Sequence, residues 1–375
     1  MKRKIIGMIF FMLMISSVVF MPVPGFVIND TISKPLLYRG TLYVGGSGPG
    51  NYTRIQDAIN DATDGDTVFV YDDSSPYFEN IIIDKSINLI GEQKDTTVIN
   101  GNDSKIVVNI VANNVMVHYF TIENFNIQYN KSNHLINIES DYNFIFENIL
   151  TGNKTSGIHV YESLYNNISN NIIISKDLSY GMDLENCDYT TICGNKISVD
   201  GAGIYVRDSS NNEIIGNTIT DSYHGISLGL ITIDSYIYGN ILTNNTMSGI
   251  FIYGFSSNTT IIQNDISYNG EMGVLIFISI NNKIIQNNFI GNKKKNAFFI
   301  YPIRWILPIC KLIGIKLFFP RIYWDGNYWD EPRLQPYFIF GNVCFTEGLW
   351  AMFDLFLINW INLDRNPAKE PYDIG

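Results

Sequence analysis

This 375-residue chain has few charged side chains, four cysteines and four histidines. Charged residues make up 16% of it and the formal net charge is -11, so the basic surface needed for nucleic-acid binding is missing. Four cysteines are too few for a disulfide scaffold. There is no His-x-His or Cys-x-x-Cys pair, and half of the methionines lie in the N-terminal segment. The sequence therefore predicts no metal site and no bound cofactor.

The sequence does contain a repeated asparagine. Seven asparagines recur at intervals of 22 to 24 residues, each with Ile three residues before it and a large apolar residue two residues after it. They are Asn148, Asn171, Asn195, Asn217, Asn240, Asn264 and Asn287. A period of this length is typical of stacked repeats. We expect each asparagine to adopt the left-handed backbone of a turn, and its amide to bond the equivalent asparagines above and below.

A column of glycines keeps the same period. Its members are Gly157, Gly181, Gly203, Gly225, Gly249 and Gly273. The first and third residues after each glycine are apolar and the second varies, and this alternation indicates short strands. Leucine-rich repeats would need a Leu-x-x-Leu-x-Leu frame, which is absent. The pattern therefore predicts an all-β parallel β-helix in which each repeat makes one turn of the coil.

The N-terminal part has the pattern of an export signal. Lys2-Arg3-Lys4 precedes an apolar run from Ile5 to Met21, so residues 1–25 are predicted to be a signal peptide or an uncleaved anchor. An anchor would associate the protein with a membrane, because the run approaches spanning length. Both alternatives predict a protein that is extracellular or at the cell surface.

The β-helix is predicted to span residues 41–296, with a cap at each end. An amphipathic helix within residues 53–62 is expected to cover the first open end. Residues 297–375 are rich in aromatic residues and proline and are expected to form the C-terminal cap. Within them, Trp324, Tyr328 and Trp329 either plug the coil or stack on sugar rings.

Two covalent features stay open at this point. A disulfide between Cys310 and Cys344 is an alternative to free thiols in an oxidising compartment. Eight Asn-x-Ser/Thr sequons either mark a glycoprotein or arise by accident in an asparagine-rich chain. They begin at Asn29, Asn51, Asn102, Asn130, Asn153, Asn167, Asn244 and Asn258.

Several segments resemble a known group. They are the Thr41–Thr53 stretch Thr-Leu-Tyr-Val-Gly-Gly-Ser-Gly-Pro-Gly-Asn-Tyr-Thr, the helix beginning Gln56-Asp-Ala-Ile, Gly65-Asp-Thr-Val, and the Asn-rich turns. They resemble secreted archaeal right-handed parallel β-helix repeat proteins. That group includes pectin-lyase-like folds, the carbohydrate-binding and sugar-hydrolysis domain, and NosD-type periplasmic proteins linked to copper-enzyme maturation. The resemblance covers roughly residues 41–300 and implies the right-handed fold.

The varying residue after each glycine is expected to point outward, which defines two neighbouring columns. The first contains His159, Asp183 and Tyr205, and the second contains Tyr161, Glu185 and Arg207. Asp183 and Glu185 would lie roughly 7 Å apart on one strand, a separation at which two carboxylates can act on a glycosidic bond. His159 is the candidate acid or base near neutral pH. Arg207, Tyr161, Tyr205 and Asp208 are the candidate substrate-binding residues.

These residues predict a polysaccharide or cell-surface glycan as the partner. The chain either binds it or processes it as a lyase, a hydrolase or an epimerase. Tyr180-Gly-Met-Asp183 resembles a Tyr-Gly-Phe-Asp motif of uronan epimerases, but Glu185 stands where their histidine is expected. Three alternatives are sugar binding without catalysis, an ordinary solvated face of a structural or adhesive surface protein, and a NosD-type copper-related role.

Overall fold

The computed structural model describes residues 40–102, 104–125, 133–176, 180–302, 322–330, 337–344, 357–364 and 366–374. These residues form a parallel β-helix whose strands stack into three sheets. Successive strands of one turn belong to different sheets, and each pairs with its equivalent in the next turn. The apolar residues that alternate along the strands point inward and form one continuous core.

The first sheet has 12 strands. They are β1 (Thr41–Val44), β2 (Thr67–Val70), β5 (Asn88–Gly91), β8 (Met116–His118), β11 (Phe144–Phe146), β14 (Asn167–Ser169), β17 (Thr191–Cys193), β20 (Glu213–Ile215), β23 (Tyr236–Tyr238), β26 (Thr260–Ile262), β29 (Lys283–Ile285) and β32 (Tyr323–Asp325). The repeated isoleucines, such as Ile192 and Ile214, lie on its inner face and are fully buried.

The second sheet has 11 strands. They are β3 (Tyr77–Phe78), β6 (Val98–Asn100), β9 (Thr121–Asn124), β12 (Ile149–Asn153), β15 (Ile172–Lys176), β18 (Lys196–Val199), β21 (Thr218–Thr220), β24 (Ile241–Thr243), β27 (Asp265–Ser267), β30 (Asn288–Ile290) and β33 (Tyr328–Trp329). The apolar residue two positions after each ladder asparagine lies on the inner face of this sheet, as Ile197 and Ile219 do.

The third sheet has 12 strands and carries the candidate site on its outer face. They are β4 (Ile81–Ile83), β7 (Ile106–Ile110), β10 (His134–Ile138), β13 (Ser156–Tyr161), β16 (Met182–Glu185), β19 (Ile204–Arg207), β22 (His224–Gly229), β25 (Ser248–Tyr253), β28 (Met272–Phe277), β31 (Lys295–Pro302), β34 (Tyr337–Cys344) and β35 (Leu357–Asp364). The pair β34 and β35 is antiparallel and ends the sheet.

The glycine column has a steric cause. A Cβ atom on Gly181 would lie 2.4 Å from the carbonyl oxygen of Gly203 in the next turn, and 2.5 Å from the Cγ2 atom of core residue Ile197. Gly157 meets its neighbours in the same way. No larger side chain fits without moving the backbone of the next turn, so this column marks the tightest point of the coil.

The predicted asparagine ladder is confirmed. The backbone nitrogen and the side-chain Nδ2 of Asn195 both donate to Oδ1 of Asn217, each at 2.9 Å. Nδ2 also donates to the carbonyl oxygens of Ile168 and Cys193. The pattern repeats along the column, and Asn195 is fully buried. Each ladder asparagine is therefore satisfied by the turns next to it.

The expectation that these asparagines have a left-handed backbone was wrong, because the left-handed residue lies one position earlier in the chain. The positive φ belongs to the residue just before each ladder asparagine, for example Gly194, with φ of 65°, before Asn195, and Gln263, with φ of 53°, before Asn264. That preceding residue turns the chain, and the asparagine supplies the hydrogen bonds. Asparagine is selected at this position for its amide rather than for its tolerance of the left-handed region.

Two further polar ladders occupy the other corners, and the sequence analysis did not identify them. One, between the third and first sheets, is interrupted and consists of the pairs Asn143–Asn166, Thr190–Asn212 and Thr259–Asn282. The other runs between the second and third sheets through Ser222, Asn245, Asn269 and Asn292. They mix residue types, which hides their period in the sequence.

The coil extends beyond residue 296, where the regular repeat ends. Trp324 pairs with Ile284, and Trp329 pairs with Phe289. Between them, Asn327 continues the ladder by accepting from Nδ2 of Asn287 at 3.0 Å. The two tryptophans are buried in the core, as expected of an aromatic plug, and they belong to a further turn of the coil.

A carboxylate ends the ladder. Asp364 Oδ2 accepts from the backbone nitrogen of Asn327 at 3.0 Å, from its Nδ2 at 3.1 Å, and from Nε1 of Trp329 at 3.0 Å. An ionised carboxylate accepts hydrogen bonds and donates none, so it satisfies the last donors without needing another turn.

The predicted cap helix at the other end is confirmed as α1 (Ile55–Asp61). Its buried face consists of Ile55, Ala58 and Ile59. Arg54, at the N-cap, makes no capping hydrogen bond, and Glu79 instead accepts from the first backbone N–H groups of the helix, at 2.8 Å from Ile55. This contact fastens the cap to the coil.

Candidate functional site

The strand register of the third sheet aligns the predicted residues into two outward columns. His159, Asp183 and Tyr205 are paired along the first column, on β13, β16 and β19. Tyr161, Glu185 and Arg207 are paired along the second column on the same strands. Six of the seven predicted site residues are therefore neighbours on one face. Asp208 lies in the turn after β19, exposed and with φ of 49°.

Arg207 joins the two predicted carboxylates. Its Nη2 atom lies 2.6 Å from Oε2 of Glu185 and 3.4 Å from Oδ2 of Asp183. The two carboxylate oxygens are therefore at most about 6 Å apart, which is shorter than the roughly 6.5–9.5 Å separation of the carboxyl groups in inverting glycosidases. The guanidinium of Arg207, a candidate substrate-binding residue, is thus engaged by the protein's own carboxylates.

Asp183 and Arg207 each have one buried side-chain atom, Oδ1 and Nε, without a hydrogen-bond partner among the described residues. The side chain of Asp183 is buried, with a relative exposure of 6%. The pKa of Asp183 is raised to about 6, mainly by burial; the charge of Arg207 opposes this rise and the charge of Glu185 contributes to it. A buried acceptor without a partner costs free energy and, in a native protein, requires an explanation.

His159 is held by an asparagine and by a second histidine. Its Nδ1 lies 2.8 Å from Oδ1 of Asn137, and its ring stacks on His134 with the ring centroids 4.3 Å apart. Burial is the main cause that lowers the pKa of His159 to about 4, and the charge of Arg207 adds to it. His159 is therefore neutral at pH 7 rather than half-protonated.

The tyrosines of the face form a connected group. The hydroxyl groups of Tyr205 and Tyr253 lie 2.6 Å apart and share a hydrogen bond, although Tyr253 is two turns further along the coil. Gly229 makes this reach possible, because a Cβ atom there would lie 2.5 Å from the Tyr253 hydroxyl oxygen. The Arg207 guanidinium lies over the Tyr205 ring, 5.5 Å from its centroid.

The later turns of the same face are aromatic and apolar. Phe251 and Tyr253 stack with centroids 4.8 Å apart, and His224 stacks on Phe251 at the same distance. Ser227 and Leu275 are buried on this outer face. The outward residues of both columns are half-buried or buried.

Sequence reasoning missed Asn109, Asn137, His134 and the role of Gly229. The first three lie in β7 and β10, which precede the regular repeats, so no glycine column marked their register. Gly229 carries no chemistry of its own. The sequence did contain one signal for its role. In the second column, Glu185 and Arg207 have large side chains, and the next position, Gly229, has none.

The described residues do not fit a copper centre. Copper is held by thiolate, thioether and imidazole donors that converge on one ion. No group of three or more His, Cys, Asp or Glu side chains with that geometry occurs in the described ranges. The His134 and His159 rings are nearly parallel, with 10° between their planes, so their in-plane lone pairs do not converge. Cys187 and Cys193 are free thiols, and Cys310 lies outside the described residues.

Comparison with protein families identifies the group. Residues 59–248 and 230–334 match the family described as periplasmic copper-binding protein (NosD). The chain belongs to the NosD family. Its fold is the right-handed parallel β-helix that the resemblance implied. Among the residues described, no helix of this NosD-family chain is long and apolar enough to cross a membrane, and the apolar run Ile5–Met21 lies outside them.

Individual relatives are a surface protein and β-helix proteins. A cell surface glycoprotein of Methanothermus fervidus is 32% identical over 284 residues, which are 64% of this chain and 46% of the relative. The chain thus spans about half the length of that relative. The A-module of a mannuronan C-5 epimerase from Azotobacter vinelandii is similar in structure, with a TM-score of 0.56, 15% identity, and coverage of 76% of this chain and 82% of that one.

A third similar structure is the ORF18 protein of Geobacillus virus E2, with a TM-score of 0.53 and 14% identity. The match covers 77% of this chain and 57% of that one. At these identities the structural likeness shows the fold alone. The family and the surface relative together support a surface β-helix protein.

Proposed function

We propose that this protein is an exported cell-surface β-helix that binds polysaccharide on the outer face of the third sheet, around Asp183. The observation that carries the proposal is the buried Asp183 carboxylate, whose Oδ1 has no partner in the described part of the chain. It lies beside the ion pair of Glu185 and Arg207 and next to tyrosine rings. Sugar rings bind to such combinations of polar groups and aromatic faces.

The charges of the site favour an uncharged, hydroxyl-rich polysaccharide over a polyuronate. Arg207 is compensated by two carboxylates, and Glu139 adds a further negative charge near His159. A glycan carboxylate placed here would meet like charges, whereas a sugar hydroxyl can donate to the unpaired oxygen of Asp183. The likeness to mannuronan epimerases is a likeness of fold and does not change this argument.

Export and surface attachment support the same function. The NosD family is described as periplasmic, and the Methanothermus fervidus relative is described as a cell surface glycoprotein. The N-terminal residues 1–25 remain the candidate signal or anchor, outside the described residues. Of the sequons, those at Asn102, Asn244 and Asn258 are exposed and have a positive φ.

Processing of the bound polysaccharide is the second candidate, and one observation favours it. Burial raises the pKa of Asp183 to about 6, which suits a general acid near neutral pH. Binding is the better supported function, because Arg207 occupies the space between Asp183 and Glu185 and His159 is neutral.

A glycan array that contains neutral and uronic-acid polysaccharides tests the proposal on the full chain. We expect binding to a neutral polysaccharide and at least a tenfold loss of affinity with Asp183→Ala and with Arg207→Ala. Lys196→Ala, an exposed change on the second sheet, is the control and should bind normally. Reducing-sugar and unsaturated-uronate assays should detect no product, and a product would favour processing. Absence of any binding would leave the structural or adhesive alternative.

A further inference from the structure

The network around Asn137 constrains the proton of His159. Asn137 lies on β10, next to His159 in the strand register, and its exposure is 2%. His159 Nδ1 and Asn137 Oδ1 are 2.8 Å apart. This distance alone does not identify the donor, because a neutral imidazole has one nitrogen that donates and one that accepts.

The other contacts of Asn137 identify the donor. Its Nδ2 lies 2.9 Å from Oε1 of Glu139 and 2.9 Å from Oδ1 of Asn109. The Glu139 carboxylate accepts hydrogen bonds, so the amide nitrogen has to face it. Both amide hydrogens are then used, and the Oδ1 atom that faces His159 can only accept. Nδ1 of His159 therefore carries the proton, and Nε2 carries the lone pair.

The ring is also held in place. His134 stacks on His159 at 4.3 Å and nearly parallel, and Tyr161 stacks at 6.1 Å. Within the described ranges, no group hydrogen-bonds His159 Nε2. Asp183 follows His159 directly along the outward column, one strand spacing of about 4.8 Å away. Two acceptors, Nε2 of His159 and Oδ1 of Asp183, thus lie on adjacent strands without a hydrogen-bond partner among the described residues.

We propose that Asn137, itself held by Asn109 and Glu139, locks His159 in the Nδ1–H tautomer, so that Nε2 forms an acceptor subsite for a sugar hydroxyl. The inference rests on the proposed polysaccharide binding and narrows it. The subsite takes a hydroxyl donor next to the one that Asp183 binds, and it rejects an anion. Asn137 is a positioning residue, because it acts through His159.

Nitrogen-15 NMR of the histidine-labelled full chain at pH 7 tests the lock without any glycan. The Nδ1–H and Nε2–H tautomers differ in their nitrogen shifts and in their couplings to the ring protons, and His159→Gln assigns the signals. We expect His159 to be in the Nδ1–H form. Asn137→Leu should convert most of it to the Nε2–H form. An Nε2–H signal in the wild type would overturn the proposal, as would an unchanged signal in Asn137→Leu.

The chain offers a matched control on the first sheet. His118 Nε2 lies 3.0 Å from Oδ1 of Asn88, so Asn88→Leu removes an asparagine–histidine contact of the same kind away from the site. Each variant is compared with the wild type by its thermal midpoint. A neutral polysaccharide found on the array is then titrated into each folded protein.

The two sets of results separate the inference from the proposed function. Asn137→Leu should weaken binding at least tenfold, whereas Asn88→Leu should leave it unchanged. If Asn137→Leu switches the tautomer and binding persists, the subsite is wrong and the glycan site stands. If no polysaccharide binds the wild type, the proposed function fails and the subsite fails with it, whatever tautomer His159 has.

Discussion

Asn195 and Asp183 lie in the same turn of the coil, and both are polar side chains removed from water. The side-chain oxygen of Asn195 accepts from Asn171, and its amide nitrogen donates to Asn217. Asp183 has one oxygen 3.4 Å from Arg207, and its other oxygen has no partner within the described ranges. Asn195 is thus fully bonded inside the scaffold, whereas Asp183 keeps bonding capacity on the outer face.

The contrast teaches how to separate scaffold from site in a repeat protein. A buried polar group that repeats from turn to turn is satisfied by its own copies, so its presence needs no ligand. A buried polar group that does not repeat has no such copy. Burial of the Asp183 carboxylate raises its pKa to about 6, which costs folding free energy at neutral pH and is typical of functional sites.

The largest expected effect comes from breaking the ladder. Asn195→Ala removes the acceptor of Asn171 and the donors to Asn217 and Ile168, all of them buried. Each buried group left unsatisfied costs about 1–3 kcal/mol, so we expect a loss of about 3 kcal/mol in the free energy of unfolding. Chemical denaturation measures it, and Lys196→Ala is the exposed neighbouring control. A loss equal to that of the control would show that the ladder does not stabilise the coil.

Replacing Asp183 is expected to raise the free energy of unfolding at pH 7, whereas replacing Asn195 lowers it. Its pKa in the folded state is about 6, above the ordinary value of 3.8, so the native protein binds the proton more tightly than the unfolded chain. The resulting stabilisation is complete below pH 3.8 and is lost as the pH rises through about 6. The difference between the two pKa values corresponds to about 3 kcal/mol. Asp183→Asn should remove this loss, but it also removes the contact with Arg207. The net result we expect is a free energy of unfolding at pH 7 that is higher by about 2 kcal/mol.

The difference between variant and wild type is the quantity to measure, because histidines titrate in the same window. Burial lowers the pKa of His118, His159 and His224 to about 4, so these groups make the folded protein more stable as the pH rises. Subtracting the two stability curves between pH 4 and pH 7 isolates Asp183. A flat difference for Asp183→Asn would refute the assignment.

A smaller effect is expected where an absent side chain shapes the site. Gly229→Ala places a methyl group against the Tyr253 hydroxyl and should break its hydrogen bond to Tyr205. We expect a loss of about 1 kcal/mol in stability, the usual value of one such hydrogen bond. Tyr253→Phe removes the same hydrogen bond without a clash. If the free energies of unfolding of the two variants differ by much more than about 1 kcal/mol, Gly229 acts through its backbone instead.

Most of the scaffold could be predicted from the sequence, because its physical requirements recur at a fixed interval. The core isoleucines, the glycine column and the ladder asparagines each repeat with one residue type, so their pattern is visible. The turn that contains Trp324, Asn327 and Trp329 was missed for two reasons. It follows Asn287 after 40 residues, and tryptophan replaces the usual isoleucine.

The candidate site was predicted only in its location. The repeat aligned His159, Asp183 and Arg207 on one face, because strand register follows from the period. It could not show that Arg207 binds Asp183 and Glu185, since the direction of a long side chain depends on its surroundings. The contact of Asn137 with His159 was also beyond the pattern, because β10 lies before the regular repeats.

Asp183→Asn tests the central distinction between scaffold and site most directly. The dissociation constant for the polysaccharide and the free energy of unfolding are measured at pH 7 on the same preparation. A site residue should lose binding at least tenfold while stability rises by about 2 kcal/mol, given its raised pKa. Binding that persists together with a loss of stability would place Asp183 in the scaffold and contradict the account.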